Sequence, residues 1–491
     1  MSGFGEHKSV KWALAVSGVL SVLGLIAASF FNIINTDSAV LLVETERIAE
    51  GYIPYETLHL NYPPLWYYIN VALKWLFHVP YGCYPFYLAV HWLYACGCAA
   101  CLYVISRKWG AGTPLACFVA WLFFIITYQQ QGNEVIFEIP GVFWGLLAVC
   151  LYYRWEDRHP AWQLIVGALT CCSFLTKQFG AGFALLVLWL ILTSSSSGKW
   201  TQVAMYMAGY SLPLLLCLAL FGPEMYRSIL FNGYGTAEMD VFRGIETTPG
   251  MVLGRIGTNL LALCNHQVPV VYAALFLLPV LFRQHKHREV LFCLFAIGGF
   301  ALQFVFVHGG RHYLLYMIPF ALLLVPLLMT MEAGKTVRYV VLFVIGIMTL
   351  NGVYAACHNR SLKRYVLDGE HDYANQWKSS EYIAETVQDG ETVFIPHVGL
   401  EYLYYTANLY PPMMDITGYC TGPMEVTVAV CARNVEEADY VIHYTEEEMR
   451  AAGDGEVFEY FYTDSIRQYV DQFPSDTLEN AIVVSKMKDE R

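Results

Sequence analysis

Along most of this chain apolar residues run in long blocks broken by short polar stretches. The blocks are too long for strands and too uniformly apolar for helices that face water on one side. Several approach or exceed the roughly 20 residues with which a helix crosses about 30 Å of hydrocarbon, and most begin or end at a basic cluster or an aromatic belt. They predict membrane-spanning helices near residues 12–31, 84–106, 113–128, 138–153, 161–177, 179–193, 201–221, 267–282, 289–307, 312–330 and 337–357, about eleven by that length criterion. The first block has no small-residue cleavage site and runs into a polar loop, so it is expected to be a retained helix rather than a signal peptide.

The ends of the blocks orient the chain. Lys8 and Lys11 precede the first, Arg107 and Lys108 follow the second, and Arg154 and Arg158 follow the fourth. Lys199, the group Arg283, Lys286 and Arg288, and the pair Lys335 and Arg338 continue the alternation. Short cytoplasmic loops hold such residues, so the N-terminus is expected in the cytoplasm. An odd number of crossings then puts the C-terminus outside, with a bacterial plasma membrane as the expected location. After about residue 359 the composition turns polar and acidic, which predicts an aqueous domain over 359–491 beyond a membrane domain over 1–358. Helical spacing at Ser380–Val387, an apolar run at Thr392–Pro396, the stretch Leu400–Asn408 and the alternating run Tyr440–Tyr444 suggest a small α/β arrangement there.

Composition narrows the functional classes. With 56% hydrophobic and 14% charged residues the chain is no soluble globular enzyme, and a formal net charge of −12 argues against nucleic acid as a partner. Most of the 14 cysteines fall inside predicted spans, where the thiol behaves as a small apolar group. Cys420 and Cys431 lie in the outer domain, where an oxidising compartment permits a disulfide without requiring one. Cys98 and Cys101 stand at CxxC spacing with Cys96 beside them, but they fall inside a predicted span and have no histidine partners at zinc-ligand spacing.

The first outer loop, residues 32–83, carries the chemistry. The first apolar block ends in Asn35-Thr36-Asp37-Ser38, followed by Glu44, Glu46, Gly51-Tyr52-Ile53-Pro54-Tyr55, His59 and Asn61-Tyr62-Pro63-Pro64-Leu65. Asp37 either caps a helix from Ser38 to about Glu50 or presents a carboxylate at the membrane surface. Glu44 stands seven residues on, hence on the same face of that helix, which would aim two acids at one cavity. A juxtamembrane helix is expected from Pro63 to Phe77, and its aromatic cluster at Trp66 to Tyr68 reads either as cavity lining with Tyr55, His59 and Tyr62 or as an interfacial belt.

An Asp just after the first span, a helix, Gly51-Tyr52 with Tyr55, and Tyr62-Pro63-Pro64-Leu65 opening a second helix resemble the first periplasmic or lumenal loop of the GT-C superfamily, which includes the protein O-mannosyltransferases and the lipid A aminoarabinose transferase. In those families the loop Asp opens an Asp-Glu pair, whereas Ser38 follows Asp37 here. Three further places are similar. Gln129–Pro140 carries Glu134, where these enzymes place an acid at the start of the fourth span, and Glu138, which is deeper and costly if it faced lipid. Glu134 reads equally as an interfacial acid favoured by the helix dipole. Phe174–Gly180 holds Lys177 in a short turn between the fifth and sixth spans. A lysine outside is an exception to the charge rule that fits either a bound anion or snorkelling to headgroups. His308-Gly309-Gly310-Arg311-His312-Tyr313 joins the ninth and tenth spans and is similar to the Arg-Tyr turn of these enzymes.

The resemblance implies a multi-pass α-helical membrane protein of GT-C type, with extracytoplasmic juxtamembrane helices and a small C-terminal α/β domain. It implies transfer of a sugar from an undecaprenyl- or dolichyl-type phosphate to a lipid, glycan or protein acceptor. The departing phosphate gains negative charge, which Lys177 and Arg311, assisted by His308 or His312, would neutralise. Asp37 would take the acceptor's proton, with Glu44 and Glu134 as further acids, and a single displacement would invert the anomeric carbon. Tyr55, His59, Tyr62, Glu138 and, in the outer domain, Glu401 complete the expected substrate cavity, and the loop 221–250 is expected to fold over it. No cofactor is certain; if a divalent metal is used, Asp37 and Glu134 are its expected ligands. A transporter or flippase would also place charges at membrane edges, although no internal repeat or paired broken helices are evident. A glycan polymerase or ligase using diphosphate-linked donors is the third option.

Overall fold

The computed structural model describes residues 8–31, 34–58, 60, 62–129, 134–156, 158–195, 198–227, 229, 287–306, 311–330, 372–396, 400, 402–412, 424–445, 464–478 and 482–488. In chain order the helices are α1 (Lys8–Ser29), α2 (Thr36–Ala49), α3 (Leu65–Phe77), α4 (Tyr84–Lys108), α5 (Thr113–Gln129), α6 (Glu138–Trp155), α7 (Trp162–Thr176), α8 (Ala181–Leu192), α9 (Lys199–Arg227), α10 (His287–Phe306) and α11 (Ile318–Thr330). They are followed by α12 (Asp372–Thr386), β1 (Val393–Phe394), α13 (Tyr402–Thr406), α14 (Met424–Glu437), β2 (Tyr440–Tyr444), α15 (Asp464–Val470), β3 (Ser475–Thr477) and β4 (Ile482–Lys486). Each predicted span that falls on described residues overlaps a helix. The spans expected near 267–282 and 337–357, and most of the loop expected to cover the cavity, lie outside the described residues. Among the described residues two stretches, Tyr84–Lys108 and Lys199–Tyr226, are long and apolar enough to cross a membrane by length and composition.

Packing divides the chain into two compact units, one of Met1–Asn32, Leu88–Leu216 and Arg255–Gly369, the other of Ile33–Tyr87, Cys217–Gly254 and Glu370–Arg491. The first unit is helical among its described residues. Its helices are tied at points where polar atoms meet inside apolar surroundings: Trp121 Nε1 donates to Ser21 Oγ at 2.6 Å, and Trp92 Nε1 to Ser29 Oγ at 2.8 Å. Where α7 and α9 cross, a Cβ on Gly167 would meet the Tyr206 carbonyl oxygen at 2.1 Å and one on Gly209 the Leu164 carbonyl oxygen at the same distance. Two glycines therefore let these backbones touch, the usual way helices gain dispersion contact where no hydrophobic effect drives them together. Near the start of α10, Arg288 reaches Glu156 at 2.8 Å, the Tyr152 hydroxyl at 3.1 Å and the Leu190 carbonyl at 2.9 Å, joining the ends of α6 and α8.

The second unit contains the sheet, ordered β1-β2-β4-β3, with β1 parallel to β2 and the remaining pairs antiparallel. Cys431, Val435 and Ala438 line one face at the end of α14 and pack with Phe394, Val441, Ile466, Val470 and Met487 into one core. The helix, strand and Tyr-rich strand expected at 380–387, 392–396 and 440–444 all form, whereas Leu400–Asn408 contains the short helix α13. Cys431 sits in the core, and Cys420 lies outside the described residues.

Candidate active site

The loop helix α2 starts two residues earlier than the sequence suggests. Asn35 is its cap, accepting the Ser38 amide on Oδ1 at 2.8 Å, so Asp37 is not a cap but an exposed carboxylate inside the first turn. From Ala39 to Ile48 every residue is buried, including the polar run Glu44-Thr45-Glu46-Arg47. Buried polar groups are tolerated when partnered, and each of these is. Tyr67 of α3 donates to Glu44; Thr45 Oγ1 donates to the Leu41 carbonyl at 2.8 Å; Glu46 pairs with Lys74 of α3 at 2.7 Å and accepts from the Tyr87 hydroxyl at 3.2 Å. Asp37 and Glu44 share a stripe of the helix as expected but not an environment, because only the later turns are enclosed.

Burial governs ionisation here. It raises the Glu46 carboxyl above its ordinary value, against the pull of Lys74 and Tyr87. Burial, with the Glu44 charge adding to it, holds the Tyr55 and Tyr67 phenols well above theirs, so both remain donors. Tyr55 adopts a left-handed φ of 64° and donates to the Tyr62 carbonyl at 2.7 Å, so the two tyrosines expected in the cavity come together. A non-glycine residue in that conformation is held by its surroundings, here the Tyr55 amide on Leu58 O at 2.8 Å as well. Rings of Tyr55 and Tyr68 both lie against Phe221, at 5.9 and 5.7 Å.

Both acids expected near the start of the fourth span lie in the helical unit. The helix α6 begins at Glu138, and Glu134 lies half-buried in the bend before it. Lys177 terminates α7 in extended conformation and is 2% exposed, which rules out snorkelling. Its Nζ lies 3.2 Å from Glu138 Oε1 and faces the rings of Phe137 and Tyr313 at 5.2 and 5.4 Å. Tyr313 stacks on Phe179 at 4.7 Å, so the Lys177 turn and the 3-10 turn Arg311–Tyr316 adjoin. Gly141 makes room for this: a Cβ there would stand 2.4 Å from the Tyr316 hydroxyl and 3.8 Å from Lys177 Cβ. Ser173 Oγ fastens α7 to the Gly141 carbonyl at 2.7 Å.

The remaining expected residues are placed as follows. His59, His308 and Glu401 lie outside the described residues, as do the side chains of Arg311 and His312. Among the described residues no group of three or more His, Cys, Asp or Glu side chains is arranged to hold a metal ion. Residues to which sequence reasoning gave no role are Arg47, Lys74, Tyr81 and Phe137, each a partner of an acid or cation it did single out, or of a neighbour of one.

By sequence, no family model and no curated protein matches the chain. Solved structures do. ArnT from Cupriavidus metallidurans in the apo state superposes with a TM-score of 0.58 at 12% identity, over 98% of this chain and 99% of that one. The same protein bound to undecaprenyl phosphate gives 0.57 over 97% and 98%. An Archaeoglobus fulgidus oligosaccharyltransferase tethered to an acceptor peptide containing the NVT sequon gives 0.57 at 13% identity, over 97% of this chain and 74% of that one. The chain therefore shares its fold with these solved structures. The correspondence extends over nearly the whole chain.

Proposed function

We propose that the chain is a glycosyltransferase that moves a hexosyl or pentosyl group from a polyprenyl phosphate carrier to an acceptor on the extracytoplasmic face of its membrane. Two observations support this together: full-length correspondence of fold with ArnT, one structure of which is bound to undecaprenyl phosphate, and a lysine buried under aromatic rings at the turn after α7. The electron pair of the anomeric C–O bond leaves with the carrier phosphate, and a cation held in low dielectric stabilises that charge better than a hydrated one. In this reading Lys177 and Arg311 bind the phosphate, with His308 or His312 assisting, and Glu138 is the counter-ion that Lys177 exchanges for it.

Asp37, open to solvent at the head of α2, takes the acceptor's proton as the acceptor attacks the opposite face of the sugar, inverting the anomeric carbon. Glu44 and Glu134 are the further acids; Tyr55, Tyr62, His59 and Glu401 shape the cavity. A divalent ion, if one takes part, falls to Asp37 and Glu134 and would lend positive charge beside the reacting groups. The N-terminus is cytoplasmic and the domain over 359–491 extracytoplasmic. Purified protein supplied with radiolabelled polyprenyl phosphate sugars and candidate lipid, glycan and peptide acceptors tests the reading. Asp37→Asn should slow transfer by roughly 100- to 10,000-fold. Equal transfer by both proteins removes Asp37 from catalysis, and no transfer from any carrier, with substrate counterflow in vesicles, favours a transporter.

A further inference from the structure

Arg47 is fully buried on α2 and is met from the far end of the chain. Its Nη1 donates to both carboxylate oxygens of Glu50, at 3.0 and 2.8 Å, and to Asn408 Oδ1 at 3.2 Å, while Nη2 donates to the Leu409 carbonyl at 2.7 Å. The guanidinium lies 3.6 Å from the centroid of the Tyr410 ring, and the Tyr410 hydroxyl returns to Glu50 at 3.2 Å. Asn408 takes a left-handed φ of 53°, in the turn that aims its side chain and the next carbonyl at the same cation. Tyr81 adds a second tie, donating to the Tyr404 carbonyl at 3.0 Å and packing on the Tyr405 ring at 5.8 Å.

A buried arginine is a poor way to gain stability, since well-packed apolar side chains of equal volume serve as well or better; what a planar fork adds is a unique geometry. Arg47 stands ten residues beyond Asp37, about 15 Å along the helix axis, so it does not reach the atoms that react at Asp37. We infer that Arg47 is a positioning residue: it locks residues 402–412 of the C-terminal region onto α2 and thereby fixes the attitude of the helix that carries Asp37 and Glu44. The C-terminal region is then a brace for the catalytic helix. The inference rests on the reading of Asp37 and Glu44 as catalytic acids, but the lock itself does not.

The test uses the full chain in lipid nanodiscs, as wild type, Arg47→Met, Arg47→Lys and Asn408→Ala, with amide hydrogen exchange measured alongside transfer kinetics. In Arg47→Met, exchange across Thr36–Ala49 should accelerate by about tenfold or more while β2 and β4 stay protected, and kcat should fall roughly 100-fold with the carrier's KM within about threefold, as for a misplaced group remote from the chemistry. Arg47→Lys, which keeps the charge and loses the fork, should fall between the two. Asn408→Ala should move both readouts in the same direction by less, and it serves if Arg47→Met does not fold. Unchanged exchange in α2, exchange rising equally through the sheet, or wild-type kcat in Arg47→Met each overturn the brace. Loosening confined to α2 in a protein that transfers no sugar from any carrier even as wild type keeps the lock and removes the glycosyl-transfer reading instead.

Discussion

Two buried cations, one in each unit, are held in opposite ways. Arg47 is enclosed by a carboxylate, a side-chain amide, a backbone carbonyl and an aromatic face, with hydrogen bonds of 2.7 to 3.2 Å in fork geometry. Lys177 presents a point charge to one carboxylate oxygen at 3.2 Å and to two ring faces more than 5 Å away. A fork satisfied on several sides has no reason to exchange partners. A single ammonium on a flexible stem can turn toward a phosphate more readily than a planar fork can. On the proposed reading the difference separates a lock from a phosphate-binding group, and substitutions at each should separate them in the same way.

The largest effect is expected at Lys177. Lys177→Met leaves the buried Glu138 without this counter-charge and should lower stability by about 3–5 kcal/mol, with transfer reduced roughly 100- to 1,000-fold by loss of the phosphate's cation. Lys177→Met combined with Glu138→Leu should recover most of the melting temperature in detergent and none of the transfer. Recovery of activity in the double variant would make the pair a structural one. Arg47→Met should be milder in stability, about 1–3 kcal/mol by lost charged hydrogen bonds, because Glu50 is a third exposed and water can replace its partner. A loss at Arg47 as large as at Lys177, in the same melts, would erase the distinction between them.

The apolar blocks were readable because hydrocarbon demands length and uniformity, and those are properties of consecutive residues. The turn at Lys177 was readable too, as a short polar break between two apolar blocks. The polar run Glu44-Thr45-Glu46-Arg47 was not. It looks like a solvated helix face, and its burial depends on Tyr67, Lys74 and Tyr87 beyond the next turn and on Asn408 to Tyr410, more than 350 residues away. The turn holding Tyr313 was legible, but not its neighbour across the fold: only the stacking on Phe179 brings Tyr313 to Lys177. The cap was misplaced by two residues, at Asp37 instead of Asn35, in a string where Asn, Asp and Ser all favour that position.

A third buried ionisable group shows the remaining solution, which is to give up the charge. His443 in β2 is 7% exposed, its Nδ1 lies 2.9 Å from the Tyr444 carbonyl, and burial lowers its pKa below 6.5 with Arg467 adding to the effect and Asp471 opposing it. Between the folded and unfolded values the unfolded chain holds a proton that the folded chain lacks. Stability should therefore be flat above pH 6.5 and fall as the pH drops through that window, by at most about 1.4 kcal/mol per pH unit for one proton. Glu46 works in the opposite sense, since its raised value gives stability that is present at low pH and lost as the pH rises through it. Asp439, lowered by its bonds to Thr392 and Lys488 in spite of burial, loses its contribution only below its ordinary range near 3.8. The comparison of wild type with His443→Phe isolates the histidine from both. Chemical melts between pH 7.5 and 5 should show the wild type losing stability on acidification and the variant losing less, and equal slopes in the two would mean that His443 is charged in the folded protein after all.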